Sequence, residues 1–139
     1  MDSSIYRPDP PRVALLALDA TVQVKSTEGA RTIAMGDFHL PPGAHPETET
    51  SLRLNELIVG VTLPKATWKS RYVKARDRAS YAFALASCAA CVRVEGGVIK
   101  DARIALGGVA TVPWRSREAE QALVGQKAER ATYEAAAKA

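Results

Sequence analysis

The chain of 139 residues holds only two cysteines and two histidines, and Phe, Trp and Tyr make up 6% of it. Each scarcity excludes some chemistry. Cys88 and Cys91 have C-x-x-C spacing, but a zinc or iron–sulfur site needs about four ligands and no second Cys or His pair exists to complete one. A thioredoxin-type pair needs a helix N-terminus to lower the thiol pKa, whereas this pair lies in an apolar run; small buried core thiols are expected. His39 and His45 share one proline-rich loop, where they read as solvated polarity, with no Ser-His-Asp or Cys-His arrangement around them. There is no P-loop and no G-x-G-x-x-G, so no phosphate-cradling glycine loop is written here. The pairs Gly96-Gly97 and Gly107-Gly108 read as turns or close backbone packing. No apolar run approaches the ~18–20 residues of a membrane span. Met1 to Pro11 has no apolar stretch behind a basic start, so it does not read as a signal peptide.

What remains is an ordinary globular composition, 47% hydrophobic and 24% charged. It suffices for one compact core, or for two small lobes sharing one. The net charge of +4 comes from 19 basic and 15 acidic residues spread along the chain, which argues against a nucleic-acid footprint.

The first twelve residues, with Pro8, Pro10 and Pro11, read as an irregular lead-in. Val13 to Ala20, VALLALDA, is apolar on nearly all sides and short, which suits the last buried turns of a helix feeding a strand. Thr21 to Lys25 and Arg31 to Met35 read as a hairpin turning at Glu28-Gly29. Asp37 to Thr50, with three prolines, reads as a loop long enough to face a ligand. Leu57 to Leu63 and Arg71 to Arg76 read as strands. Ser80 to Val94, dominated by Ala, Ser and Cys, fits a close-packed helix or a strand facing small neighbours, and its second half favours strand, turning at Gly96-Gly97 into Val98 to Leu106. Ser116 can cap a helix reaching Val124, with Gly125 as its stop, and Thr132 can cap another over Tyr133 to Ala139. Seven residues cannot sustain a helix in isolation, where about 12–15 are marginal.

Lys74 to Arg78 concentrates three positive charges with Asp77 at a strand end, beside Ser80, Tyr81 and Phe83. A solvated strand terminus and an anion or cofactor edge, with Lys as a point-charge donor beside an aromatic surface, are both open readings.

The ordered motifs VALLALDA (13–20), DFHLPPG (37–43), LNELIVGVTLP (54–64), RDRASYAFALASCAA (76–90) and ALGGVATVPWR (105–115) together resemble one family. The resemblance is to FAD-binding, or medium, subunits of xanthine dehydrogenase-type molybdenum hydroxylases, above all those of bacterial aldehyde oxidoreductases. It implies an α+β fold, an antiparallel sheet with packed helices preceded by the end of an FAD-binding domain. The implied divisions are the lead-in (1–12), the remnant of the FAD-binding domain (13–64) and a truncated flavoprotein C-terminal domain (65–139). It implies FAD as cofactor, with electrons passing from [2Fe–2S] clusters through FAD to an acceptor. The molybdenum cofactor and the clusters would sit on separate molybdenum and iron–sulfur partner subunits. Two residues carry over as cofactor-binding: Lys74, whose ammonium would stand near the flavin or its phosphate-bearing chain, and Ile58, which would give an apolar wall and one backbone pair of hydrogen-bonding groups. No catalytic or metal residue carries over. The implied compartment is cytoplasm, or periplasm through a signal-bearing partner.

Two departures stand against the family pattern. Its Pro-Ser-Asp before the helix is here Pro8-Asp9-Pro10-Pro11, with the aspartate displaced by one position, and the glycine-rich pyrophosphate loops are missing. The chain is therefore expected to bind FAD weakly or not at all and to associate with itself or with another fragment. Two alternatives stay open: a non-catalytic docking module for the partner subunits, and a gene remnant without independent activity.

Overall fold

The computed structural model describes residues 10–43, 45–65, 67–79 and 82–139. The fold is α+β: helix α1 (Pro10–Ala17) lies between two antiparallel sheets. One sheet holds β1 (Thr21–Ser26), β2 (Gly29–Ala34) and β3 (Leu57–Thr62) in the order β2-β1-β3. The other holds β4 (Lys69–Ala75), β5 (Ala86–Glu95), β6 (Val98–Gly107) and β7 (Trp114–Arg115), in chain order.

The position of α1 explains why VALLALDA is apolar on nearly every side. Val13, Leu16 and Ala17 form one core with Val22, Val24 and Ile33 of the first sheet and Ala89, Cys91 and Ala105 of the second. A helix sandwiched between sheets has no solvent stripe to fill with polar residues. It starts at Pro10, inside the stretch expected to be irregular. Proline is tolerated in the first turn, where its missing N–H would have had no helical partner.

α1 ends in a Schellman arrangement: Ala20 N donates to Leu15 O at 2.9 Å and Asp19 N to Leu16 O at 3.1 Å. The residue at the left-handed position is Asp19, φ 49°, where glycine is usual. Its carboxylate explains the choice. One oxygen stands in an ion pair with Arg103 Nη1 and the other accepts from Arg115 Nη1, each at 2.6 Å. Arg115 Nη1 also donates to Leu16 O at 3.2 Å, covering an end carbonyl of α1, and Arg115 Nε pairs with the buried Glu120. Burial opposes the charge of Arg115, but its bonds to Glu120 and Asp19 outweigh that and raise its pKa.

The run that fitted helix or strand is strand. β5 is central, paired with β4 and β6, and Ser87, Ala89 and Cys91 alternate as its buried residues. Small side chains make the floor on which α1 rests, so composition here records a close approach and not a helix. Cys88 and Cys91, three apart on a strand, point to opposite faces; both are free, and burial pushes both thiols up. Gly107 of β6 completes the floor, since a Cβ there would lie 2.6 Å from both Val13 Cγ2 and Ser87 Oγ.

A second core, on Ile99, Ala102, Leu123 and Ala136, holds helices α3 (Arg117–Leu123) and α4 (Arg130–Ala136) against β6. Ser116 caps α3 through its hydroxyl, which accepts from Ala119 N, and Gly125 ends it at φ 84°, both as the sequence suggested. α4 begins two residues before the expected cap at Thr132, after an extended Glu129. The turn before it is pinned on the β5–β6 hairpin by Ala128 N donating to Gly97 O at 2.9 Å, and that contact sets the start. In the loop expected over 37–50, residues 37 and 38 instead belong to a short helix, α2 (Met35–Phe38), whose Met35 and Phe38 are buried. The remainder closes through a bridge between His39 and Thr50.

Two substitutions test this packing and a third serves as a surface control. Gly107→Ala should cost about 1–3 kcal/mol through overpacking, read as a drop in melting temperature by calorimetry; an unchanged value would mean that α1 does not sit on β6 as described. Glu120→Ala, which leaves Ile104 N without its acceptor and Arg115 with Asp19 as its remaining carboxylate, should cost about 1–3 kcal/mol in urea unfolding. Glu134→Ala, in the exposed Arg130–Glu134 pair at 2.6 Å, should cost at most about 0.5 kcal/mol.

Candidate functional site

Lys74 occupies the penultimate position of β4, opposite Ser87 of β5. It is half-buried, and its Nζ donates to Ala82 O at 3.2 Å. Leu85 N donates to Ala75 O at 2.9 Å, so the segment between Ala75 and Leu85 is tied at both feet, once by backbone and once by the ammonium. Phe83 and Leu85 stand exposed beside it. Arg76, Asp77 and Arg78 are exposed on the same connection, while Ser80 and Tyr81 of the sequence-level cluster lie outside the described residues, as does Asp9. The result is a cation next to open apolar surface at one end of the four-stranded sheet.

Ile58 stands on the other sheet. It pairs with Val24 of β1, next to a bulge that leaves Val59 without a partner in β1, and it is 51% exposed. The approach to it is clamped. Arg31 donates to both carboxylate oxygens of Glu56, at 2.6 and 2.8 Å, and to Ser51 O at 2.8 Å. Arg53 N donates to Glu56 Oε2 at 2.8 Å. These bonds, the one from Arg31 first, hold the Glu56 carboxyl at about 2, against an ordinary 4.5. The structure therefore presents both expected residues at the surface, one on each sheet, and neither belongs to the shared core.

A separate cleft of ≈ 540 Å³ opens at the C-terminal end of α1, between α2 and the segment 113–117, with Asp19, Met35, Asp37, Trp114, Arg115 and Arg117 on its walls. Neither Lys74 nor Ile58 lines it. The ionic network at its floor has no local sequence signal, because Asp19 and Arg115 are 96 residues apart. Trp68 extends that network: its Nε1 donates to Asp101 Oδ2 at 2.7 Å and its ring lies 4.0 Å beneath the Arg103 guanidinium.

Among the described residues no group of three or more His, Cys, Asp or Glu could hold a metal ion. His39 packs edge-on against Phe38 at 5.0 Å, and His45 pairs with Glu47 at 3.0 Å on the surface. No helix of the described residues is long and apolar enough to cross a membrane. Glycines with positive φ sit at the start of β2 (Gly29) and, at 96, 97, 108 and 125, in turns and connections, and nothing among the described residues resembles a pyrophosphate cradle. A lysine beside exposed apolar side chains and an exposed isoleucine fit the edge of a flavin; the donor set for its pyrophosphate is not among them.

Comparison with known proteins gives two family matches in tandem. Residues 9–66 match the FAD binding domain in molybdopterin dehydrogenase, and residues 71–139 match the CO dehydrogenase flavoprotein C-terminal domain. The chain is 50% identical over 113 residues to the aldehyde oxidoreductase FAD-binding subunit PaoB of Escherichia coli (strain K12), covering 80% of this chain and 34% of that protein. It is 33% identical over 127 residues to the nicotine 6-hydroxylase medium subunit of Paenarthrobacter nicotinovorans, covering 91% and 43%. It thus spans well under half the length of these relatives. Among solved structures, quinoline 2-oxidoreductase from Pseudomonas putida 86 superposes with a TM-score of 0.82 at 25% identity, over 98% of this chain and 46% of that one. Carbon monoxide dehydrogenase from Hydrogenophaga pseudoflava does so at 0.79 and 29%, over 97% and 46%.

The clamp before Ile58 is testable by acid. A depressed carboxyl contributes stability that is fully present above its unfolded pKa and is lost as pH falls through the folded one. The contribution of Glu56 should therefore fade between pH 4.5 and about 2. The stability difference between wild type and Glu56→Gln should shrink over that window, and the side-chain carboxyl ¹³C shift should titrate near its bottom. Titration near 4.5 would mean that the clamp is open in solution.

Proposed function

Because this chain belongs to the FAD-binding-subunit family of molybdenum-containing hydroxylases and dehydrogenases, we propose that it carries one side of an FAD site in a multisubunit oxidoreductase. The observation that carries this reading is the tandem of family matches, 9–66 and 71–139, running in order along one core. The chain divides functionally into the end of an FAD-binding domain, residues 13–64, and a C-terminal domain from residue 65. When bound, FAD supplies the electron relay between iron–sulfur clusters and an acceptor. The chain's residues hold and shape. Lys74 offers an ammonium to negative charge on the flavin or its phosphate-bearing chain, as a compact donor beside the open apolar surface of Phe83 and Leu85. Ile58 offers an apolar wall, kept in place by the Arg31–Glu56 clamp. A molybdenum-cofactor subunit and an iron–sulfur subunit complete the assembly, and the cytoplasm is its compartment.

A second reading, a docking module that binds those subunits without holding FAD, is favoured by the Lys74 ammonium being already engaged with Ala82 O. Titration of the purified chain with FAD, followed by flavin fluorescence, separates the two. A half-site should give weak, saturable quenching, with Lys74→Ala weakening it roughly tenfold, as the loss of one charge-assisted hydrogen bond of about 1.5 kcal/mol would. Absence of any quenching would leave the docking reading in its place, and a tight stoichiometric yellow complex would contradict the half-site.

A further inference from the structure

Ser87 of β5 is 5% exposed, and its Oγ is sealed from solvent with no hydrogen-bond partner among the described residues. Folded proteins leave few buried hydroxyls unbonded, because the hydrogen bonds lost with water go unreplaced. Since the atom is already covered by this chain, its partner has to be a side chain that reaches it from within the fold. The register of the sheet narrows the choice.

On the β6 side Ser87 stands opposite Gly107, which has no side chain, and the point where a Cβ would stand there is hemmed in by Val13 Cγ2 and by Ser87 Oγ itself, each at 2.6 Å. Along β5 the same face continues with Ala89. On the β4 side Ser87 stands opposite Lys74. Directly opposed side chains share a sheet face, with Cβ atoms about 4.5–5.5 Å apart, so the flexible four-carbon stem of Lys74 rises beside the hydroxyl. Tyr72, one pair along that face opposite Ala89, has its own hydroxyl unbonded and does not supply the partner. The Lys74 ammonium meanwhile donates to Ala82 O at 3.2 Å, a bond that serves the connection after β4 and turns the charge away from any ligand.

We propose that Ser87 is the positioning residue for Lys74. In the liganded site the ammonium leaves Ala82 O, donates one N–H to Ser87 Oγ and directs another at negative charge on the flavin or its phosphate-bearing chain. An ammonium has three donors and can make both bonds at once. The exchange satisfies the buried hydroxyl through a charge-assisted bond, and it holds in place a long side chain that the ligand alone would otherwise have to order. Ser87 touches no ligand itself and acts through Lys74. This role rests on the flavin reading of the site. It also gives Ser87→Ala opposite signs in two states: in the free chain the substitution removes an unbonded hydroxyl, and in the liganded site it removes a bond.

Calorimetry and FAD fluorescence titration of the full chain, run side by side, test this. The melting temperature of free Ser87→Ala should equal or exceed that of wild type, while its affinity for FAD should fall about threefold, as the loss of one modest hydrogen bond would give. Ser87→Ala combined with Lys74→Ala should bind no more weakly than Lys74→Ala alone, because a residue that acts through another has no effect once the other is gone. Tyr72→Phe, which removes the neighbouring unbonded hydroxyl, should leave the affinity unchanged. A lowered melting temperature for Ser87→Ala, an affinity it does not alter, a double variant that sums the two losses, or an equal loss from Tyr72→Phe would each overturn the proposal and leave the flavin reading standing. No quenching by wild type would overturn both.

Discussion

The carboxylate of Asp19 draws together two guanidinium groups, Arg103 and Arg115, from sheet positions more than eighty residues further along the chain. It does so from a left-handed backbone position, φ 49°, that most side chains avoid. The cost of that conformation is offset because the same turn closes α1 and aims the carboxylate at both arginines. Arg115 then reaches the buried Glu120, which also accepts from Ile104 N at 2.8 Å and from Arg117 at 3.1 Å. Through this chain of charge-assisted bonds the C-terminal end of α1 is locked to β6, β7 and α3. Paired and hydrogen-bonded, Glu120 is a burial the fold tolerates; unpaired, it would not be.

That lock crosses the boundary between the two family matches. Asp19 lies in the segment similar to the FAD binding domain, and Arg103 and Arg115 lie in the segment similar to the flavoprotein C-terminal domain. The two segments also share one apolar core, with Val13, Leu16 and Ala17 packed on Ala89, Cys91 and Ala105. Packing alone is non-directional and would tolerate sliding of α1 along a floor of small residues. The ionic turn at Asp19 and the close approach at Gly107 remove that freedom at the two ends of the helix. Lys74, beside Ser87 on the same floor, and Ile58, on the opposite sheet, keep their relative positions as a consequence.

The surface is as unevenly finished as the interior is tightly tied. The strand β4 is charged, and its lysine holds a loop; the strand β3 is uncharged, with the Arg31–Glu56 clamp securing the chain just before it. A clamp that fixes the start of an exposed apolar strand keeps that strand extended.

Local signals were sufficient wherever neighbours in sequence are neighbours in space. The hairpin at Glu28-Gly29, the Gly96-Gly97 turn, the Ser116 cap and the Gly125 stop depend on φ preferences and i to i+3 contacts, and each was legible. The order of motifs was enough to identify the family and to nominate Lys74 and Ile58. The start of α4 was not legible, because a contact with Gly97 sets it. Neither was the choice of strand for β5, whose small residues answer to the closeness of a helix some seventy positions earlier. The Asp19–Arg103–Arg115–Glu120 network lay furthest from view: an aspartate in a left-handed turn and a glutamate at the interior face of a short helix look like surface residues until the sheets bring their arginines to them. Sequence determined the elements and the family because backbone preferences and motif order are local properties. Tertiary structure alone decided which charges are buried and which small residues floor a helix, because both depend on what long-range packing places beside them.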